Sequence, residues 1–168
     1  MVDTPAAAQE RLQPLTGGRI PENDGPSYRL WQREGGQLPV LIAVPHSGRC
    51  YPAFLLAALR QPERASLRLE DRYVDALALP AAETTQTSLL LADAPRAMID
   101  LNRSADDIDW GMVRGPKPRM TRHSLANRRS RNGLGLVPRR LPGMGEIWRR
   151  ALARSELDSW IAGIYHPY

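Results

Sequence analysis

From Pro39 to Val44 the chain reads PVLIAV, an apolar run without polar alternation that breaks at Pro45 and sets His46 on a Ser47-Gly48 turn. A run of this kind, rich in Val, Leu and Ile, fits a strand covered on both faces, the sort that a parallel sheet uses. Proline has no N–H to give a ladder, and glycine permits the backbone geometry of a tight turn. In open α/β sheets, ligands and catalytic groups collect beyond the carboxyl ends of such strands. His46 is therefore expected at the rim of a crevice. From position alone two readings stand level: a functional imidazole, or a hydrogen-bonded structural histidine.

The remaining pattern extends this strand into an α/β architecture. Tyr28 to Trp31 alternates as an edge strand and turns at Gly35 and Gly36. Ala53 to Arg60 has helical spacing. Leu69, Tyr73, Val74 and Leu77 predict a second helix from about Leu67 to Ala78 with one apolar face, and Asp71 and Asp75 share another face. Thr87 to Ala92 and Ala97 to Leu101 read as two strands around an Asp-Ala-Pro turn. Arg114 to Gly145, rich in proline and glycine, reads as a long irregular excursion of the kind that lines sites. Glu146 to Arg154 and Glu156 to Ile164 read as a helix or a helix pair. Residues 1–26 lack periodicity and read as a loose lead-in to a single domain over 27–168.

Length and composition narrow the function classes. At 168 residues the chain suits one domain with a real core. No apolar stretch approaches bilayer length, and MVDTPAAAQERLQP has no basic segment leading into an apolar block. A lone cysteine, Cys50, excludes an internal disulfide, points to a reducing cytoplasm and reads as a packed thiol. Arg114, Lys117, Arg119, Arg122, Arg128, Arg129, Arg131, Arg139 and Arg140 form a basic stretch without an acidic residue. Such a stripe can neutralise phosphates, but it lacks the aromatic residues that stack bases. A solvated arginine-rich loop, or one that attracts a small anion, is favoured over a nucleic-acid module.

A second motif, APRAMIDLNRS from Ala94 to Ser104, carries chemistry of its own. Arg96 and Arg103 near the ends of one short segment make a carboxylate clamp, since each guanidinium presents a planar fork to two oxygens. Asn102 offers a donor and an acceptor to orient an amide or carboxylate, and Asp100 stands where it can fix an arginine. The competing reading is a strand end pinned by a surface Arg-Asp pair.

The strings VPHSGRCYP, EDRYVDAL, PRAMIDLNR and GLGLVP, in this order over most of Val40 to Tyr168, resemble the N-formylglutamate amidohydrolase family. These are zinc hydrolases related to aspartoacylase and the metallocarboxypeptidases. The resemblance implies an α/β fold with a mixed, largely parallel sheet flanked by helices, and one zinc ion at the strand ends. It implies His46 and Asp71 as metal ligands, with Glu70 as an alternative to Asp71. Asn102 and Arg103 are implied to hold the substrate carboxylate, and Arg96 to polarise the scissile carbonyl and stabilise its oxyanion. Asp100 is implied to orient one of these groups.

The implied substrate is N-formyl-L-glutamate, as in histidine degradation, or a similar N-acyl acidic amino acid. The family's third ligand, a histidine, and its glutamate base are expected beyond Tyr168. His123 and His166 remain as weaker ligand candidates within the chain. A truncated homologue without turnover, retaining part of the substrate site, and a basic nucleic-acid-binding module are the alternatives. An unpaired sheet edge, and self-association through it, is a further expectation.

Overall fold

The computed structural model describes residues 13–34, 39–118 and 129–168. Its main sheet has strands β1 (Leu15–Gly17), β2 (Tyr28–Trp31), β3 (Leu41–Val44) and β4 (Ser88–Ala92), in the order β1-β2-β4-β3. β3 runs parallel to β4, whereas β2 is antiparallel to both β4 and β1. The sheet is thus mixed, but the expected largely parallel arrangement is not seen. The reason is that β2 lies antiparallel on the far side of β4, and Leu15–Gly17 of the segment read as a loose lead-in adds β1 antiparallel beyond it. Ile20 in that segment is fully buried, and the Arg19 N–H donates to the Gly163 carbonyl at 2.7 Å.

β4, not β3, is the covered strand. Leu89, Leu90, Leu91 and Ala92 are all buried, while Leu41 at the open edge is 51% exposed and Val40 beside it 47%. Tyr28 to Trp31, expected at an edge, lies inside the sheet. The β3 edge carries no charged side chain from Pro39 to Val44, a composition that leaves it open to pairing with another strand.

Helices α1 (Ala53–Ala58), α2 (Pro62–Leu69) and α3 (Val74–Thr85) connect β3 to β4. The single helix expected from Leu67 to Ala78 is broken between α2 and α3, where Tyr73 takes a left-handed conformation with φ 68°. α3 packs on the sheet through Ala78 and Ala82, against Val44, Leu89 and Leu91. Leu77 of this helix faces the other way, 70% exposed, as does Tyr73 just before it, 71% exposed. Small residues bring the helix axis close to the pleated surface, which the bulkier Leu77 stripe does not allow.

Ala97 to Leu101 is no strand. Pro95 accepts the Met98 N–H at 2.9 Å to close a turn, and the Asp100 N–H reaches the Leu136 carbonyl at 2.7 Å. Ala97, Met98 and Ile99 are nevertheless fully buried, in the larger core that also holds Leu55, Leu136, Trp148 and Trp160. The Trp148 indole N–H donates to the Pro138 carbonyl at 2.7 Å, tying the described part of the irregular excursion to that core. Of the helix or helix pair expected over Glu146 to Ile164, only the second part is helical: α4 (Arg154–Trp160) continues into a π-helical turn, Ile161–Tyr165, while Leu152–Ala153 pairs with Val113–Arg114 as a short parallel ladder. Among the described residues no helix is long and apolar enough to cross a membrane.

Candidate active site

The PHSG turn is held between two strand ends. The Ser47 hydroxyl is shared by the Val44 carbonyl at 3.1 Å and the Ala92 carbonyl at 3.0 Å, which locks the exit of β3 to that of β4. The Cys50 N–H then bonds the Asp93 carbonyl at 3.1 Å, and Asp93 is itself fixed by Arg29 of β2. Cys50 packs as a partly buried thiol and accepts from the Asn23 amide. His46 is thereby presented past the β3 end, buried to 7% exposure.

Asp71 and Asp100 meet His46 from opposite sides. The break between α2 and α3 frees the Asp71 N–H to bond the His46 carbonyl at 3.0 Å, and its carboxylate Oδ2 lies 3.2 Å from Nδ1 of the ring. Glu70, the neighbouring candidate, pairs instead with Arg72 at 3.0 Å, and burial together with its carboxylate pushes the Tyr51 hydroxyl well up. On the other side, Nε2 of His46 stands 2.8 Å from Oδ1 of Asp100.

Asp100 is the hub of the cluster. It is fully buried, and besides His46 it accepts from Arg96 Nε at 2.9 Å and the Asn102 N–H at 3.0 Å, with Arg103 Nε at 3.5 Å. Burial alone would raise its carboxyl, but the His46 hydrogen bond and the charges of Arg96, His46 and Arg103 outweigh it and hold the group below the ordinary carboxylate range. An ionised carboxylate only accepts, so Nε2 must carry the proton that joins them. Nδ1 is then the atom that faces Asp71. Sequence reasoning gave Asp100 a supporting part; its signal was a single acid inside the apolar run Ala97 to Leu101, which is the signature of a buried, paired carboxylate.

The arginines are steadied and retain open donors. Arg103 Nε donates to the Leu134 carbonyl at 3.1 Å and Nη1 to the Asn102 carbonyl at 2.9 Å, while the Tyr165 hydroxyl holds the Arg103 carbonyl at 2.8 Å. Arg96 uses only Nε on Asp100, and the Asn102 side chain is exposed. His46, Asp71, Arg96 and Arg103 therefore converge on one carboxylate-linked cluster, with Asn102 attached through its backbone. His166 is exposed beside Tyr165 and apart from it. His123 lies outside the described residues.

The donor chemistry of this cluster fits a zinc ion in part. Nδ1 and the Asp71 carboxylate face each other at 3.2 Å, a contact that a proton on the ring or a metal ion between the two satisfies. That separation is close to the edge of a tetrahedron with bonds of about 2.0 Å, and a carboxylate on the far ring N–H is the usual support of a histidine ligand. Two donors are present, and among the described residues no three His, Cys, Asp or Glu side chains are placed to hold one metal ion together.

Comparison with known proteins points to one family. The profile of the N-formylglutamate amidohydrolase family matches residues 38–168. The chain is similar in structure to N-formylglutamate amidohydrolase from Ralstonia eutropha JMP134, with a TM-score of 0.70 and 31% sequence identity over 83% of its own length. It spans about half of that protein, 48% of its chain. Among curated proteins no match was found. The matched region takes in the PHSG turn, Asp71 and the DLNR segment alike, and the chain belongs to the N-formylglutamate amidohydrolase family.

Proposed function

We propose that this chain carries the metal-side and carboxylate-side halves of a zinc-dependent amidohydrolase site acting on N-formyl-L-glutamate or a similar N-acyl acidic amino acid. The observation that carries the reading is Asp100, one buried carboxylate that joins His46 to Arg96 and Arg103. It fixes the distance between a metal ligand and a clamp for acidic groups. His46, with its proton on Nε2, offers Nδ1 as one donor, and Asp71 offers a carboxylate as the second. Zinc, when bound, brings the pKa of a coordinated water towards about 7 and polarises an amide carbonyl. Arg96, whose other donors have no partner among the described residues, is there to stabilise negative charge on the carbonyl oxygen. Asn102 and the remaining Arg103 donors hold the substrate carboxylate, so that the acyl end is delivered towards His46.

Purified protein is expected to hold zinc and to release formate from N-formyl-L-glutamate. His46→Ala should lose the metal with the fold retained, as judged by metal analysis and circular dichroism. Normal zinc content in that variant would remove His46 from the ligand set. Metal retention and substrate binding without formate release would instead favour a homologue that keeps the site and lacks turnover.

The clamp is tested separately. Arg103→Ala is expected to weaken N-formyl-L-glutamate binding by about 1.5–3 kcal/mol, the range for a charged hydrogen-bond partner, measured by calorimetry on the zinc-loaded protein. Unchanged affinity would assign Arg103 to holding the Leu134 loop alone.

A further inference from the structure

A cavity of about 530 Å³ lies beside the turn at Trp110, between Lys117 and Arg131 of the basic stretch. Its lining includes Asp109, Trp110, Lys117, Arg131 and Arg140, none of which belongs to the cluster around His46. Three of these five side chains are cations. The one carboxylate among them is already committed: Asp109 accepts the Gly111 N–H at 2.9 Å through Oδ1, and through Oδ2 it takes Arg139 at 2.9 Å and Arg140 at 3.4 Å. Arg139 and Arg140 also share Glu146. Lys117 and Arg131 make no hydrogen bond or ion pair among the described residues.

The placement of these charges is fixed by the backbone. Gly133 closes the turn that carries Arg131, and its carbonyl accepts from the N–H groups of Arg139 at 2.7 Å and Arg140 at 3.1 Å. Gly133 has φ 82°, and a Cβ there would meet Arg140 Cβ at 2.6 Å, so the two segments approach as closely as only glycine allows. Arg131 is thus borne on a turn that cannot swing away from Arg140. Like charges converging on one concavity repel, and the low-dielectric walls sharpen the positive field there. An anion seated between them relieves that repulsion.

We infer that this cavity is a binding site for a small oxyanion, a phosphate or a carboxylate, held by Lys117, Arg131 and Arg140. A volume of this size suits a compact ligand. Trp110 is the one aromatic residue among the described lining residues, and Arg154 already covers it at 5.2 Å, so they provide no row of stacked bases.

Calorimetric titration of the full chain with inorganic phosphate tests the inference, and titration with succinate in the Arg103→Ala background tests the carboxylate source without the candidate active site contributing. At least one probe is expected to bind at about 1 mM or tighter. The tighter of the two identifies the source. Lys117→Gln with Arg131→Gln should weaken binding at least tenfold with an unchanged melting temperature, because among the described residues neither side chain has a partner to lose. His46→Ala should leave phosphate binding intact, which separates this site from the amidohydrolase reading. Absence of binding by both probes at about 10 mM, equal affinity in the double variant, or binding of a single-stranded oligonucleotide without binding of either small anion would overturn the assignment.

Discussion

Replacing Asp100 by alanine is expected to remove about 3–5 kcal/mol of folding stability, the range for breaking a buried ion pair by deleting one partner. The deletion leaves the His46 Nε2–H, Arg96 Nε and the Asn102 N–H without their common acceptor. Arg96 and Arg103 are only 15% and 18% exposed, so water replaces the lost carboxylate poorly. Asp100→Asn keeps the shape and one acceptor oxygen but turns an amide N–H₂ towards donors; its loss should fall between wild type and alanine. Denaturant unfolding at pH 7 measures both, and a cost below about 1 kcal/mol in each would show that the hub is dispensable. Acid unfolding adds a second reading. The folded chain holds Asp100 below the ordinary carboxylate range, so the unfolded chain binds the proton more readily and stability rises with pH through this region. The Asp100 contribution is complete above the unfolded value of about 3.9 and is lost as pH falls below it through the folded value. Asp100→Asn should flatten that acid limb.

How far the sequence discloses this arrangement depends on what each residue does. β4 and α1 follow from apolar runs and helical spacing, because there the burial pattern and the local conformation agree. The stripe of Leu69, Tyr73, Val74 and Leu77 misleads, since only Leu69 is buried and the contact with the sheet runs through Ala78, Ala82 and the partly buried Leu79. The break at Tyr73 has no strong local signal; it comes with a long-range bond from the Asp71 N–H to the His46 carbonyl. Ala97 to Leu101 is buried as a turn, and an apolar run reports burial without reporting conformation. β3 shows the same limit, its apolar character being compatible with either the centre or the edge of a sheet. His46, Asp71, Arg96, Asn102 and Arg103 were legible as residue types, and the fold draws them together. Asp100 was legible only as a supporting residue, because its importance comes from partners 54 and 4 residues away that only the tertiary structure brings to it.

Gly48→Ala is expected to cost about 3 kcal/mol, the upper end for forcing extra atoms into a packed site. The added Cβ would overlap the Ala94 carbonyl, with the main-chain carbon of Asp93 also within 3 Å. These are backbone atoms, so no rotamer change clears the space; one strand exit must move from the other. The Ser47 hydroxyl that spans Val44 and Ala92 and the bond from Cys50 to Asp93 resist that movement. If they yield, His46 is carried away from Asp100 and Asp71, whose bonds at 2.8 and 3.2 Å tolerate little displacement. Stability and zinc content should therefore fall together in this variant, whereas Arg103→Ala should lower acidic-ligand affinity while keeping the metal. Wild-type unfolding and wild-type zinc content in Gly48→Ala would mean that the turn has slack, and that the close approach of the PHSG turn to the end of β4 does not set the position of His46.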